Sequence, residues 1–163
     1  MHSASASSPA AARSSPPNDV LTVLFLDDDP EQVEACAEAI AGAGVAEVLV
    51  VRTVAEAVAA LHRTRIDLLV MDLFIPLGET PRATFGPRAR KYAENVDHLG
   101  GLVLLDELER VPSPPMTLLH TACREPIVLE LARDRIHARV RKPASADVLI
   151  QAVLEALREL KEG

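Results

Sequence analysis

The sequence predicts an α/β fold in which a parallel β-sheet is covered by helices on both faces. Strand-like and helix-like segments alternate five times along the chain, which is the pattern of repeated βα units. Several strand-like segments are uninterrupted apolar runs, as expected of strands buried on both faces. The 163 residues are 48% hydrophobic but only 2% aromatic, which suffices for one domain with an aliphatic core.

Five segments are predicted to be strands because they are short, rich in aliphatic residues and bounded by polar or turn-forming residues. In chain order they are Leu21–Leu26, Glu47–Val51, Asp67–Met71, Met116–His120 and Ala138–Arg141.

The segments between the strands show helical spacing and recognisable start signals. The first helix is expected to have Asp29 as its N-cap and Pro30 at its first position, and to end at Gly42 and Gly44. The second opens with the capping box Thr53–Glu56. The remaining helices are predicted over Leu102–Arg110, over Pro126–Asp134 and after a Ser145 cap.

Two segments fall outside this alternation. Residues 1–18 are rich in Ser, Ala and Pro and lack the apolar stretch of a secretory signal, so we interpret them as a flexible tail. Residues 77–100 show no clear periodicity and include a basic cluster. A loop of this length is either a solvated insertion or a lid or partner-binding element. We therefore predict a tail, residues 1–18, and one domain, residues 19–163, with an insertion at 77–100.

Composition excludes several classes of protein. A formal net charge of −7 argues against nucleic-acid binding, which needs clustered Lys and Arg. No apolar run approaches the roughly 18 residues that a membrane-spanning helix needs, so a soluble chain is predicted. Cys36 and Cys123 are too few for a disulfide framework, and a reduced cytoplasm fits them.

Four of the predicted strands end in residues that can handle a phosphoryl group. Asp27 and Asp28 follow the first strand, Asp72 the third, Thr121 the fourth and Lys142 the fifth. Because the carboxyl ends of parallel strands lie at one edge of a sheet, these side chains are expected to meet there.

Asp72 is the predicted nucleophile of this set. Phosphate oxygens repel a carboxylate, so attack needs a divalent cation and positive groups to offset the charge. Asp27 and Asp28 add carboxylates, and an all-oxygen set suits Mg²⁺ or Mn²⁺. Lys142 can pair with one phosphoryl oxygen and Thr121 can donate to another. The predicted chemistry is in-line transfer that forms a hydrolysable aspartyl phosphate.

Five short motifs then resemble those of a known family. They are Phe25–Pro30, Met71–Pro76, Gly101–Leu102, Thr121–Ala122 and Lys142–Pro143. On these motifs the chain, from about Val20 to Leu160, resembles the CheY-like receiver domains of response regulators. The resemblance implies a doubly wound, five-stranded parallel sheet with strand order 2-1-3-4-5, of flavodoxin-like type.

The resemblance also implies roles for individual residues. Asp72 would accept a phosphoryl group from a phosphohistidine on a sensor histidine kinase or phosphotransfer protein. Mg²⁺ would be held by the Asp28 and Asp72 side chains and the Phe74 backbone carbonyl, with Asp27 acting through water. The phosphoryl group would be sensed by two more side chains, Thr121 and Lys142. The output and homodimer face would comprise the fourth predicted helix, the fifth strand and the last helix.

Three features depart from the family pattern. The insertion Leu77–Gly100 replaces a very short loop, and Gly100 stands where an Asp is usual. Arg139 occupies a switch position that is usually aromatic. Phe74 and Cys123 take the two variable positions that flank the phosphoryl group, where their low polarity would affect dephosphorylation.

The leading hypothesis is a single-domain response regulator in the cytoplasm that signals to a downstream protein. It would be a phosphoacceptor rather than an enzyme acting on other substrates. Arg139 and the insertion leave open a receiver-like binding module that works without phosphorylation. Asp27–Asp29 suggests a haloacid-dehalogenase-type hydrolase, although Pro30 and the lack of an acid pair after Lys142 do not fit. A flavin binder fits less well, because it would need a phosphate-binding loop after the first strand and the sequence there has none.

Overall fold

A computed structural model describes residues 20–82, 85–91 and 98–163. The predicted tail, residues 1–18, lies outside the described residues, and so does part of the insertion. Within the described residues, no helix is both long and apolar enough to span a membrane.

The five predicted strands form one sheet in which every pairing is parallel. The strand order is β2-β1-β3-β4-β5, which confirms the predicted fold class and topology. Each bound lies within one residue of its prediction. The strands are β1, Leu21–Leu26; β2, Ala46–Val51; β3, Leu68–Met71; β4, Met116–Thr121; and β5, Ala138–Arg141.

Within the described part of the chain, six α-helices connect or follow the strands. Two caps are as predicted, because Thr53 accepts the Glu56 N–H at 3.1 Å and Ser145 accepts the Val148 N–H at 3.2 Å. The helices are α1, Glu34–Gly42; α2, Val54–Arg63; α3, Pro87–Lys91; α4, Gly100–Leu108; α5, Pro126–Ala132; and α6, Ala146–Glu162.

The start of the first helix differs from its prediction. Pro30–Gln32 forms a separate 3-10 turn, and α1 begins only at Glu34. Asp29 precedes that turn but makes no side-chain capping hydrogen bond. Its backbone N–H instead donates to the Asp27 carboxylate at 3.0 Å, which ties the turn to the end of β1.

Residues of β1 and β3 alternate between two apolar cores, one on each face of the sheet. Leu24 and Leu69 face the core shared with α2, α4 and α5. Val23 and Val70 face the core shared with α1 and α6. Burial on both faces explains why β3 and the last four residues of β1 are continuous apolar runs.

The described part of the insertion contains helical structure that the sequence did not predict. It contains α3, and its last residue already begins α4. Ala89 is fully buried and Arg88 is 7% exposed, so the interpretation of a purely solvated insertion is wrong for this part. Asp106 of α4 explains the helix, because its carboxylate accepts the backbone N–H groups of Arg88 at 3.4 Å and Ala89 at 3.2 Å.

Arg88 also joins the insertion to α4 and to the end of α5. Its guanidinium contacts Asp106 at 2.9 Å, Glu109 at 2.6 Å and Asp134 at 2.8 Å. Its Nε donates to the Leu131 carbonyl at 2.8 Å. Burial alone lowers the pKa of Arg88, but the three carboxylates outweigh it and raise the pKa. Arg88 is therefore a fixed cation that holds three elements together.

Candidate functional site

The residues predicted at the strand ends converge at the carboxyl edge of the sheet. Lys142, after β5, donates from Nζ to Asp27 Oδ2 and to Asp72 Oδ2, each at 2.8 Å. Thr121, the last residue of β4, donates from Oγ1 to Asp72 Oδ1 at 2.5 Å. Three strands thus position a hydroxyl and an ammonium on the two oxygens of one carboxylate.

Backbone groups fix the orientation of these side chains. The Phe74 N–H donates to Asp72 Oδ1 at 3.1 Å, and the Cys123 N–H donates to Thr121 Oγ1 at 3.2 Å. Each bond spans two residues, which is the reach of a short turn after a strand. The cluster is therefore held in place by the loops that follow β3 and β4.

The site is almost closed to solvent and mixes charges of both signs. Asp27 is 1% exposed and Asp72 is 5% exposed. Burial raises the pKa of Asp27, and the Lys142 ammonium opposes that rise. Burial alone would lower the pKa of Lys142, but its bonds to Asp27 and Asp72 outweigh burial and raise that pKa. Lys142 therefore stays charged between the two carboxyl groups.

Asp28 is placed differently from the other predicted residues. Its side chain is exposed and lines an open cavity of about 280 Å³ beside the cluster, together with Phe74, Ile75, Pro76 and His98. Among the described residues, no three His, Cys, Asp or Glu side chains are gathered as a metal site. The oxygen donors fit Mg²⁺ or Mn²⁺ in kind, but a cation on Asp72 would have to share that carboxylate with Lys142.

Sequence reasoning missed His98, which the end of the insertion brings to this cavity. The two glycines that follow it explain how the chain comes so close. The Gly100 N–H donates to the Ile75 carbonyl at 3.0 Å and the Gly101 N–H to the Leu73 carbonyl at 3.1 Å. A Cβ on Gly100 would collide with the Ile75 carbonyl oxygen. The Gly-Gly pair was the signal in the sequence that a close approach occurs here.

The fold is similar to solved receiver domains. A CheY-like response regulator receiver domain protein from Methanospirillum hungatei JF-1 is 19% identical, with a TM-score of 0.68 over 89% of this chain and 100% of that one. The receiver domain of a putative Luxo repressor from Vibrio parahaemolyticus is 19% identical, with a TM-score of 0.64 over 88% and 94%. The non-phosphorylated HemR receiver domain from Leptospira biflexa is 17% identical, with a TM-score of 0.63 over 84% and 94%.

The chain has the CheY-like receiver fold. No protein-family model matches the sequence, and no curated protein matches it significantly. At these identities the structural similarity establishes the fold alone, and it confirms the resemblance that the five motifs suggested. The roles predicted for individual residues remain predictions.

Arg139, which the resemblance places at a switch position, lies at the surface. Arg139 is exposed and lines a groove of about 240 Å³ with Pro126, Glu130 and Arg133 at the side of α5. Its side chain therefore belongs to the surface between β5 and α5. Cys123 is buried, and burial raises the pKa of its thiol, so the thiolate is disfavoured.

A second histidine that the sequence analysis did not single out lies inside this receiver fold. His120 of β4 is 2% exposed, and its Nδ1 is buried without a hydrogen-bond partner. Burial and the nearby Lys142 charge lower the pKa of His120 to about 4, although Asp72 opposes them. A polar residue at the end of an apolar strand was the available signal. His120 is therefore neutral at physiological pH.

Proposed function

We propose that the chain acts as a response-regulator receiver that accepts a phosphoryl group on Asp72. The donor would be a phosphohistidine on a sensor histidine kinase or a phosphotransfer protein. The observation that carries the proposal is the contact of Thr121 and Lys142 with the two oxygens of Asp72, at the end of the third strand of a receiver fold. Its chemistry would be limited to its own phosphorylation and dephosphorylation.

The proposed transfer uses the groups of the cluster in a simple sequence. An oxygen of Asp72 attacks the phosphorus in line, the bond to the donor nitrogen breaks, and its electron pair stays on the imidazole. Lys142 and Thr121 already contact the Asp72 oxygens, so small movements would bring them to the phosphoryl oxygens. Both residues would thereby register the phosphoryl group.

A divalent cation belongs to the proposal. Mg²⁺ or Mn²⁺ would be held by the Asp28 and Asp72 side chains and the Phe74 carbonyl, with Asp27 contacting it through water. It would supply positive charge that offsets repulsion between the carboxylate and the phosphoryl oxygens.

The output would be a contact with another protein rather than a reaction. The proposed surface comprises α5, β5 and α6, where Ile127 is 65% exposed and Arg139 lines the neighbouring groove. This face would bind a downstream protein or a second copy of the chain, and the setting would be the cytoplasm. We propose neither nucleic acid nor a membrane as a partner.

The test is intact mass after incubation with acetyl phosphate and Mg²⁺. The wild type should gain one phosphoryl group, and Asp72→Ala should gain none. Asp147→Asn is the matched control, because Asp147 is an exposed carboxylate in the first turn of α6. An adduct that persists in Asp72→Ala would move the acceptor elsewhere and contradict the assignment.

A second candidate is a receiver-like binding module that works without phosphate. Arg139 at the surface favours it, since the usual coupling between Thr121 and an inward-turning aromatic side chain has no counterpart there. A partner bound by this module would be indifferent to Asp72→Asn and to Mg²⁺. A binding curve that shifts with either change would exclude the module.

A further inference from the structure

The cavity beside the acceptor site joins residues from three parts of the chain. It has a volume of about 280 Å³. Asp28 comes from the loop after β1, Phe74 to Pro76 from the loop after β3, and His98 from the end of the insertion. Among the described residues that line it, Asp28 and His98 alone have polar side chains.

The walls of this cavity are held by the surrounding fold. The Pro76 carbonyl accepts the Val54 N–H at 3.1 Å from the start of α2. The Ile75 carbonyl accepts the Gly100 N–H at 3.0 Å. Leu99, next to His98, is 4% exposed and belongs to the core. The residues that follow His98 are therefore fixed against the loop after β3.

We propose that His98 positions the water that hydrolyses the aspartyl phosphate. The inference rests on the proposed function and assigns the insertion a part in it. A ring nitrogen of the His98 imidazole accepts a hydrogen bond from the water. The water oxygen bonds to phosphorus, the bond from phosphorus to the Asp72 oxygen breaks, and its electron pair returns to the carboxylate. Inorganic phosphate leaves as dihydrogen phosphate, which carries the oxygen and both protons of the water.

The other groups at the site are committed elsewhere or cannot orient water. Asp28 is assigned to the cation directly and Asp27 through water. Thr121 and Lys142 are assigned to the phosphoryl oxygens. Phe74 presents an apolar ring that is 39% exposed. The Cys123 thiol is buried in the core cluster. Among the described residues that line the cavity, His98 is the side chain left to hold a water beside Phe74.

The lifetime of the phosphoryl group tests this role. The protein is labelled with acetyl phosphate and Mg²⁺, freed of the donor, and followed by intact mass. His98→Ala should lose the phosphoryl group more slowly than the wild type, by up to about tenfold. His98→Asn keeps a hydrogen-bonding side chain and should recover part of the rate. His62→Ala, on the exposed end of α2, is the matched control and should match the wild type.

The initial labelling rate and the melting temperature separate this role from a structural one. Both should be the same in His98→Ala as in the wild type, because only hydrolysis uses the positioned water. An unchanged or shorter phosphoryl lifetime in His98→Ala would overturn the inference while leaving Asp72 as the acceptor. A wild type that takes no label would overturn the proposed function as well.

Discussion

Replacing Arg88 tests whether the insertion is an integral part of the fold. In Arg88→Met the side chain keeps much of its apolar length but loses its charge. Asp106, whose side chain is 3% exposed, would then be a buried carboxylate without its cation. Breaking such a pair costs about 3 to 5 kcal/mol. The Glu109 and Asp134 side chains are 53% and 74% exposed, so their contacts add little.

Urea denaturation of four proteins measures this cost. Arg88→Met should lose about 3 kcal/mol of unfolding free energy, which corresponds to roughly 6 to 12 °C in melting temperature. Arg88→Met combined with Asp106→Leu should recover part of the loss, since no buried charge is left unpaired. Arg133→Met is the control, because Arg133 and its partner Glu130 are 77% and 69% exposed. Its loss should stay below about 1 kcal/mol.

A local effect would be visible by proteolysis. If the insertion detaches before the rest of the domain unfolds, trypsin should cut after Arg90 or Lys91 faster in Arg88→Met than in the wild type. The reasoning is refuted if Arg88→Met is no less stable than Arg133→Met and is no more sensitive to trypsin.

Two further predictions concern the interior. His120 is neutral in the folded protein, with a pKa lowered to about 4, whereas the unfolded chain takes up a proton near the ordinary value of 6.5. The contribution of neutral His120 to the free energy of unfolding should be complete above pH ~6.5. It should fall by about 3 kcal/mol as the pH drops to ~4. When the unfolding free energy is measured with urea across this pH range, it should depend less on pH in His120→Leu than in the wild type. An equal pH dependence in the two proteins would contradict the burial argument. Gly100→Ala should destabilise the protein by about 1 to 3 kcal/mol, because its Cβ would collide with the Ile75 carbonyl. Gly42→Ala, where a Cβ meets nothing within 4 Å, should cause no loss, and equal melting temperatures for the two variants would disprove the close approach.

The strands and the acceptor cluster were predictable from sequence because their causes are local or topological. Burial on both faces makes a strand such as Leu68–Met71 a continuous apolar run, which is visible in any short window. Strict βα alternation makes the strands parallel, and parallel strands bring their carboxyl ends to one edge. That rule alone predicts that Asp72, Thr121 and Lys142 meet, and the structure places them in contact.

The structure of the insertion depends on tertiary contacts that leave no local pattern in the sequence. Arg88 lies within a basic cluster and looked solvated, yet its partners Asp106 and Asp134 stand 18 and 46 residues away. His98 reaches the cavity because Gly100 packs on the loop after β3. Periodicity reports which side of a helix or strand is buried. It carries no information on which distant charge neutralises a buried ion, and for that reason only the folded chain shows the role of this segment.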